Sequence, residues 1–223
     1  MITFFYIGEP RFREHTVTNH EKLFEIVRSN WPMQVLDYTH LFYDRELCPF
    51  DRSGAIQVWD FYKVLENVKN HIVVKLRTDV WFDETAYDVV LQELTKIISG
   101  EHDISFIGSE LFRSFDQEYE RIRVPLVPKV QDFVVIADKR KIKSQDLAMH
   151  NLEHGKPFKS GNRTWQFIIE DEERAYTIRC QMFLVRQNHA ELNTWQVAYD
   201  FIRDFKKCEK ALAWWELKKP IAS

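Results

Sequence analysis

Short apolar runs alternate along the chain with longer segments whose apolar residues recur at three- and four-residue spacing. A short run bounded by turn residues is typical of a buried strand, and the longer spacing is typical of a helix that packs on one face. The runs predict strands at residues 2–7, 33–36, 71–77, 104–107, 133–136 and 176–185.

Helical spacing fills the intervals between the first strands. Asn19 or Thr18 is the expected cap of the first helix. The second helix follows Gly54, and its pattern turns Asp60 and Lys63 toward solvent. Polar caps and solvent-facing charges of this kind are usual on helices that cover a sheet.

A third helix is predicted to begin at Asp83 or Glu84 and to stop at Gly100, and residues 191–217 form an amphipathic helical tail. The order strand, helix, strand predicts a mainly parallel sheet covered on both faces. We therefore expect one α/β domain over residues 1–223, with a helical C-terminal tail.

Ligands of such folds bind beyond the carboxyl ends of the strands. The third strand ends in Arg77 and Asp79 after a mostly apolar run. A carboxylate there suits a hard divalent cation, and an arginine suits a phosphate or fixes the carboxylate. Asp83 is near enough to be a second ligand, although its position favours a helix cap. The alternative is a purely structural Arg77–Asp79 ion pair.

Further candidate residues lie next to the ends of the other predicted strands. Gly8 lets a ligand approach the backbone, and Arg11 and Arg13 can hold phosphates, although an ordinary surface turn is an equal alternative. Asp37 ends the second strand. Asp132 precedes the fifth, where it is either a catalytic or acceptor-binding carboxylate or a turn residue. The first loop, from Gly8 to Arg13, lacks the glycine patterns of Rossmann sites and P-loops.

Composition excludes several classes of protein. The net charge is −3 with no concentrated basic patch, so nucleic-acid binding is not expected. Cys48, Cys180 and Cys208 form no Cys-x-x-Cys pair, which favours a reducing, cytoplasmic compartment. No stretch is long enough to span a bilayer. His150 and His154 lack the glutamate of a zinc-protease motif.

Together these segments resemble nucleotide-sugar glycosyltransferases of the GT-A type. The resemblance is to WavE-like transferases of bacterial lipopolysaccharide synthesis and to the capsid-glycosylating transferase domain of large chlorella viruses. It rests on Gly8 with the arginines after it, the strand end Lys75-Leu76-Arg77-Thr78-Asp79, Asp132 before a strand, and Val185-Arg186 after one. It runs over residues 2–186. A strict Asp-x-Asp motif would place an acid where this chain has Arg77.

The resemblance implies a GT-A-like, Rossmann-like fold, with nucleotide-sugar binding in residues 1–110 and the acceptor side in residues 111–223. Asp79 would hold Mn²⁺ or Mg²⁺ against the donor diphosphate, and Asp132 would face the reacting sugar or the acceptor hydroxyl. The nucleotide-sugar-binding residues would be Tyr6, Gly8, Arg11, Arg13, Asp37 and Arg77.

The implied activity is metal-dependent transfer of a hexosyl or deoxyhexosyl group from a nucleoside-diphosphate sugar, with a UDP-sugar expected, to a glycan or glycoprotein. The compartment is the cytoplasm, or the host cytoplasm for a viral protein. A nucleotidyltransferase and a non-catalytic carbohydrate- or partner-binding domain are the alternatives. The sequence leaves inversion and retention of the sugar's configuration equally open.

Overall fold

A computed structural model describes residues 1–8, 13–39, 50, 53–109, 132–154, 164–180 and 182–184. The strands within these residues are β1 (Ile2–Tyr6), β2 (Met33–Asp37), β3 (Ile72–Leu76), β4 (Val80–Phe82), β5 (Ile104–Ser109), β6 (Val134–Asp138), β7 (Ala175–Cys180) and β8 (Met182–Leu184). The α-helices are α1 (Arg13–Asn30), α2 (Ser53–Asn67), α3 (Glu84–Ser99) and α4 (Gln145–His154). Short 3₁₀ helices cover Thr164–Ile168 and Glu172–Arg174.

Six of the strands form one sheet in the order β2-β1-β3-β6-β5-β7. β6 runs antiparallel to both of its neighbours, and the other neighbouring pairs are parallel. The predicted α/β fold with a mainly parallel sheet is therefore confirmed. β4 and β8 pair separately in a two-stranded antiparallel sheet.

Apolar side chains cover both faces of the sheet because successive residues of a strand point to opposite sides. Phe4 lies in a core cluster with Leu23 of α1 and Val90 of α3. Phe5 lies in the other cluster with Phe61 of α2 and with Trp165. Each face thus buries its own set of helices, as the strand–helix alternation predicts.

Two polar residues that the sequence assigned to caps or solvent are buried instead. α1 begins at Arg13, so the predicted caps Asn19 and Thr18 are wrong. The Asn19 amide accepts from Phe82 N–H at 2.7 Å and donates to Phe82 O at 2.8 Å, which accounts for a polar side chain in the helix interior. Asp60 is only 3% exposed, because the buried arc of α2 is wide enough to include it. Burial raises the pKa of Asp60 to about 7.

The prediction of a single strand over residues 176–185 is also wrong. β7 pairs with β5 as far as Cys180, and β8 then pairs with β4 in the second sheet, so the chain changes partners between them. The third helix is confirmed, with Asp83 at its N-cap position and Gly100 left-handed at its C-cap. The Asp83 side chain makes no capping hydrogen bond there. The predicted tail at residues 191–217 and Arg186 lie outside the described residues.

Candidate functional site at the carboxyl edge of the sheet

The carboxyl ends of the first three sheet strands lie side by side. Tyr6 at the end of β1 pairs in register with Asp37 of β2 on one side and with Leu76 of β3 on the other. The chain leaves β1 toward β2 and then crosses to β3 on the opposite side. In open α/β sheets, such a reversal of strand order opens a crevice at the carboxyl ends, where ligands bind.

Arg77 and Asp79 form a two-pronged ion pair directly beyond β3. Arg77 Nε donates to Asp79 Oδ1 at 2.8 Å, and Arg77 Nη2 donates to Asp79 Oδ2 at 2.7 Å. The Arg77 side chain keeps 26% of its surface exposed, and Asp79 keeps 10%. Charge-assisted pairs with parallel hydrogen bonds are strong and fix orientation. Both oxygens of Asp79 are therefore engaged by Arg77.

Asp132 completes a cluster of four charged side chains at this edge. Arg77 N–H donates to Phe133 O at 3.2 Å, which continues the β3–β6 pairing and brings Asp132 beside Arg77. Arg77 Nη1 lies 3.9 Å from Asp132 Oδ1. Lys75 Nζ donates to Asp132 Oδ2 at 3.0 Å. The two cations and two carboxylates balance in charge.

The charges around Asp132 determine its protonation. Burial alone would raise the pKa of this carboxyl group, but Lys75 and Arg77 outweigh burial and hold the pKa below its usual range. The residue is 3% exposed. Asp132 is consequently a buried carboxylate that stays ionised at neutral pH.

A second group of predicted residues meets at the ends of β1 and β2. Arg13 forms an ion pair with Asp37, and the Arg13 guanidinium lies 5.0 Å from the centroid of the Tyr6 ring. Thr39 Oγ1 donates to the other oxygen of Asp37 at 2.7 Å. Gly8 lies two residues beyond Tyr6 and has φ +90°, a conformation that favours glycine. Arg11 lies outside the described residues.

Polar side chains on one face of α1 hold the segment that carries Asp79. They share a face because residues three and four apart are neighbours on a helix. The contacts are Thr16 Oγ1 to Thr78 O at 2.5 Å, His20 Nε2 to Val80 O at 2.6 Å and Asn19 Nδ2 to Phe82 O at 2.8 Å. The backbone on both sides of Asp79 is thereby fixed to the helix.

His20 links this clamp to Tyr6. Because His20 Nε2 faces a carbonyl oxygen, it carries the ring proton, and Nδ1 accepts from the Tyr6 hydroxyl at 2.8 Å. The two rings stack with their centroids 5.6 Å apart. Burial lowers the pKa of His20 to about 4 and raises the pKa of Tyr6. The link is therefore neutral at physiological pH.

Sequence reasoning did not select Lys75, Thr16, Asn19 or His20 as site residues. One signal was available for the helix residues: three polar side chains recur at helical spacing on the side that packs against the sheet. The signal for Lys75 was a lysine inside a β-branched, apolar strand. Its partner Asp132 is 57 positions away, so only the fold reveals the pair.

The part of the chain that the structure describes contains no group of three or more His, Cys, Asp or Glu side chains placed to hold a metal ion. Asp79 and Asp132, the residues predicted as metal ligand and catalytic carboxylate, each already face a cation. Among the described helices, none is long and apolar enough to cross a membrane.

Comparison with solved structures returns glycosyltransferases among its matches. One is a glycosyltransferase involved in glycosylation of the major capsid of PBCV-1, with a TM-score of 0.47 and 10% identity over 81% of each chain. Another is the galactosyltransferase LgtC in complex with donor and acceptor sugar analogs, with a TM-score of 0.49 and 12% identity. That match covers 79% of this chain and 73% of LgtC.

A third solved structure is the glycosyltransferase GlyE of Streptococcus pneumoniae TIGR4, with a TM-score of 0.45 and 14% identity over 93% of this chain and 50% of GlyE. No protein-family model and no curated protein matches the sequence. The three matches cover most of this chain at low identity, each with a TM-score below 0.5.

Proposed function

We propose that the chain is a glycosyltransferase that moves a hexosyl or deoxyhexosyl group from a UDP-sugar to a glycan or glycoprotein acceptor. The observation that carries this proposal is the cluster of Arg77, Asp79 and Asp132 at the carboxyl edge, beside the reversal of strand order. Fixed charges of both signs at this edge suit a ligand with a diphosphate and a reacting sugar. The widely spaced cysteines support a cytoplasmic location.

The donor's parts are assigned to the two groups of residues at this edge. Tyr6, Gly8, Arg13 and Asp37 lie together at the ends of β1 and β2 and are proposed, with Arg11, for the nucleoside and its nearer phosphate. Arg77 is proposed for the diphosphate, because a partly exposed guanidinium can exchange a carboxylate for a phosphate.

A divalent cation, Mn²⁺ or Mg²⁺, is proposed at Asp79. Carboxylate oxygen is the ligand such hard cations prefer, and diphosphate oxygens and water can complete the set. Both Asp79 oxygens accept from Arg77, so the cation would bind either at the remaining lone pairs of these oxygens or at an oxygen that the guanidinium has released. When bound, the metal offsets negative charge on the leaving diphosphate. Arg77 released from Asp79 is then available to the same phosphates.

Asp132 has two possible roles: a general base that takes the proton of the acceptor hydroxyl, or a fixed negative charge that stabilises the reacting sugar. Its surroundings favour the second. A carboxylate whose pKa is held low is a weak general base, since the best base has a pKa near the operating pH. The same carboxylate keeps its negative charge and can stabilise positive charge that develops on the sugar. We therefore assign Asp132 to electrostatic stabilisation of the reacting sugar.

Calorimetric titration with UDP, in the presence and absence of Mn²⁺, tests the proposal. We expect Mn²⁺ to tighten UDP binding by about tenfold or more, because metal and diphosphate share oxygen contacts. Asp79→Ala should abolish the Mn²⁺-dependent part. The matched control is Asp138→Ala, which removes the partner of Arg140 at the opposite edge and should leave UDP binding unchanged.

Release of UDP from a panel of UDP-hexoses and UDP-deoxyhexoses, with glycan acceptors added, separates a transferase from a binding domain. Acceptor-dependent release supports the transferase. Tight UDP binding without release from any sugar nucleotide would instead assign the chain to a non-catalytic class. Unchanged Mn²⁺-dependent binding in Asp79→Ala would overturn the metal assignment.

A further inference from the structure

Lys75 occupies a position where the fold calls for an apolar side chain. It lies in β3 opposite Phe5 of β1 and Val135 of β6, on the face whose apolar core includes Trp165. Only 1% of its surface is exposed. Its ammonium group lies 5.3 Å from the centroid of the Trp165 ring. Burial of an ammonium group is costly unless a partner compensates its charge.

The partner is a single residue, and Lys75 holds it twice. Lys75 Nζ donates to the backbone oxygen of Asp132 at 2.6 Å and to its carboxylate Oδ2 at 3.0 Å. The first contact fixes where the chain enters β6, and the second fixes the rotation of the carboxylate. An apolar residue at this position would fill the space without either contact.

The second cation near Asp132 is less firmly committed. Arg77 approaches Oδ1 at 3.9 Å, and its hydrogen bonds to a side chain go to Asp79. The Arg77 side chain is 26% exposed, whereas Lys75 is 1% exposed. A phosphate ligand can therefore draw Arg77 away from Asp132, but it cannot reach Lys75. Lys75 is the cation that stays.

We propose that Lys75 is a positioning residue that keeps Asp132 ionised and correctly oriented at the carboxyl edge while Arg77 turns to the donor. This proposal rests on the proposed function only in giving Asp132 a role toward the sugar. The hold of Lys75 on Asp132 is a property of the free protein. It can therefore be tested without any nucleotide.

The first test uses thermal unfolding of Lys75→Met and of the double variant Lys75→Met/Asp132→Asn between about pH 5 and about pH 8. Without Lys75, the carboxyl group of Asp132 is left with Arg77, itself paired with Asp79, and should take up a proton in the folded state. The unfolded state ionises this group throughout the range. The melting temperature of Lys75→Met should therefore fall as pH rises, relative to the double variant.

Lys96→Met is the matched control, because Lys96 also bonds a buried carboxylate, Glu93, at 2.8 Å. Glu93 keeps His102 and Ser105 as donors, so this variant should show a smaller added pH dependence than Lys75→Met. If Lys75→Met does not fold, the double variant should still fold, since it buries no unpaired charge. Equal pH dependence of Lys75→Met and the double variant, or a double variant less stable than Lys75→Met at every pH, would overturn the proposal.

The second test measures UDP release from the UDP-hexose or UDP-deoxyhexose that the wild type uses. Lys75→Met should lower kcat by about tenfold or more near pH 6, with recovery toward pH 8.5 as Asp132 ionises, and change KM by less than about threefold. Asp132→Asn should be slow at every pH. A pH-independent loss in Lys75→Met contradicts the positioning role. If the wild type releases no UDP, the proposed function fails, and the unfolding test still decides the role of Lys75.

Discussion

Two arginine–aspartate pairs of nearly the same local geometry lie at opposite edges of the sheet. Arg77 bonds Asp79 at 2.8 and 2.7 Å, and Arg140 bonds Asp138 at 2.9 and 2.6 Å, with two positions of separation in each pair. Because β6 is antiparallel, Asp138 at its end lies beside Ile72 at the start of β3. One pair thus sits at the carboxyl edge and the other at the amino edge.

The surroundings of the two pairs differ more than the pairs themselves. Arg77 lies 3.9 Å from Asp132 and 5.4 Å from the centroid of the Phe133 ring, and it is held in a charged cluster. The Arg140 side chain is 57% exposed. The spacing of an arginine and an aspartate therefore does not define a site. The site is defined by the edge of the sheet on which the pair lies and by the second carboxylate beside it.

Removing each arginine in turn should reveal the largest difference between the two edges. Arg77→Met should weaken UDP binding by about 100-fold, because a guanidinium forms charge-assisted hydrogen bonds to phosphate. Arg140→Met should change UDP affinity by less than about twofold, since rim and remote charges contribute little. Calorimetry on the two variants measures both effects. Equal losses in both variants would remove the distinction between the edges.

Acid unfolding distinguishes the two edges by the contribution of one histidine at each edge to stability. His20 has a folded-state pKa of about 4 against an ordinary 6.5, so between these values the unfolded state binds the extra proton. Stability should fall by about 3 kcal/mol as pH drops from 6.5 to 4. Urea unfolding at several pH values should show this loss in the wild type and in His102→Gln at the amino edge. A full acid-dependent loss in His20→Gln would contradict the assignment.

Glycines at the two edges offer the smallest effect. Gly8 and Gly100 have φ +90° and +77°, and an added Cβ would meet nothing within 4 Å at either position. Each Gly→Ala change should therefore cost about 1 kcal/mol of stability through backbone strain alone. Only Gly8→Ala should also weaken UDP binding. A loss of UDP affinity in Gly100→Ala, measured by the same titration, would count against a site confined to the carboxyl edge.

Much of the fold follows from local patterns, and the exceptions have physical reasons. Apolar runs locate β1, β2 and β3, and Gly100 stops α3 as expected. β4 is only three residues long, and its partner β8 lies about a hundred positions away, so no local pattern marks the pair. The direction of β6 likewise depends on its partners rather than on its own residues. The apolar residues of Val134–Asp138 suit a buried strand of either direction.

Part of the candidate site could likewise be predicted from the sequence, and part could not. Arg77 and Asp79 could be selected because the carboxyl ends of strands are where ligands bind in this class of fold. Asp132 precedes its strand and was selected from the resemblance; it reaches the same edge because β6 runs antiparallel to β3. The prediction of Asn19 as a helix cap is wrong, because an asparagine side chain suits a cap as well as the buried contact with Phe82 that it makes. Asp60 was misread because its helix buries more than one narrow stripe. Lys75 could not be interpreted without the contact that joins β3 to Asp132.

Backbone amide NMR during titration with UDP and diamagnetic Mg²⁺ compares the two edges directly, because both are observed in one experiment. The largest chemical-shift changes should appear at the amides of Gly8, Arg77 and Asp79, while those of His102 and Arg140 should stay unchanged. Shifts centred on the amino edge, or none at Arg77 and Asp79 at saturating nucleotide, would contradict this prediction.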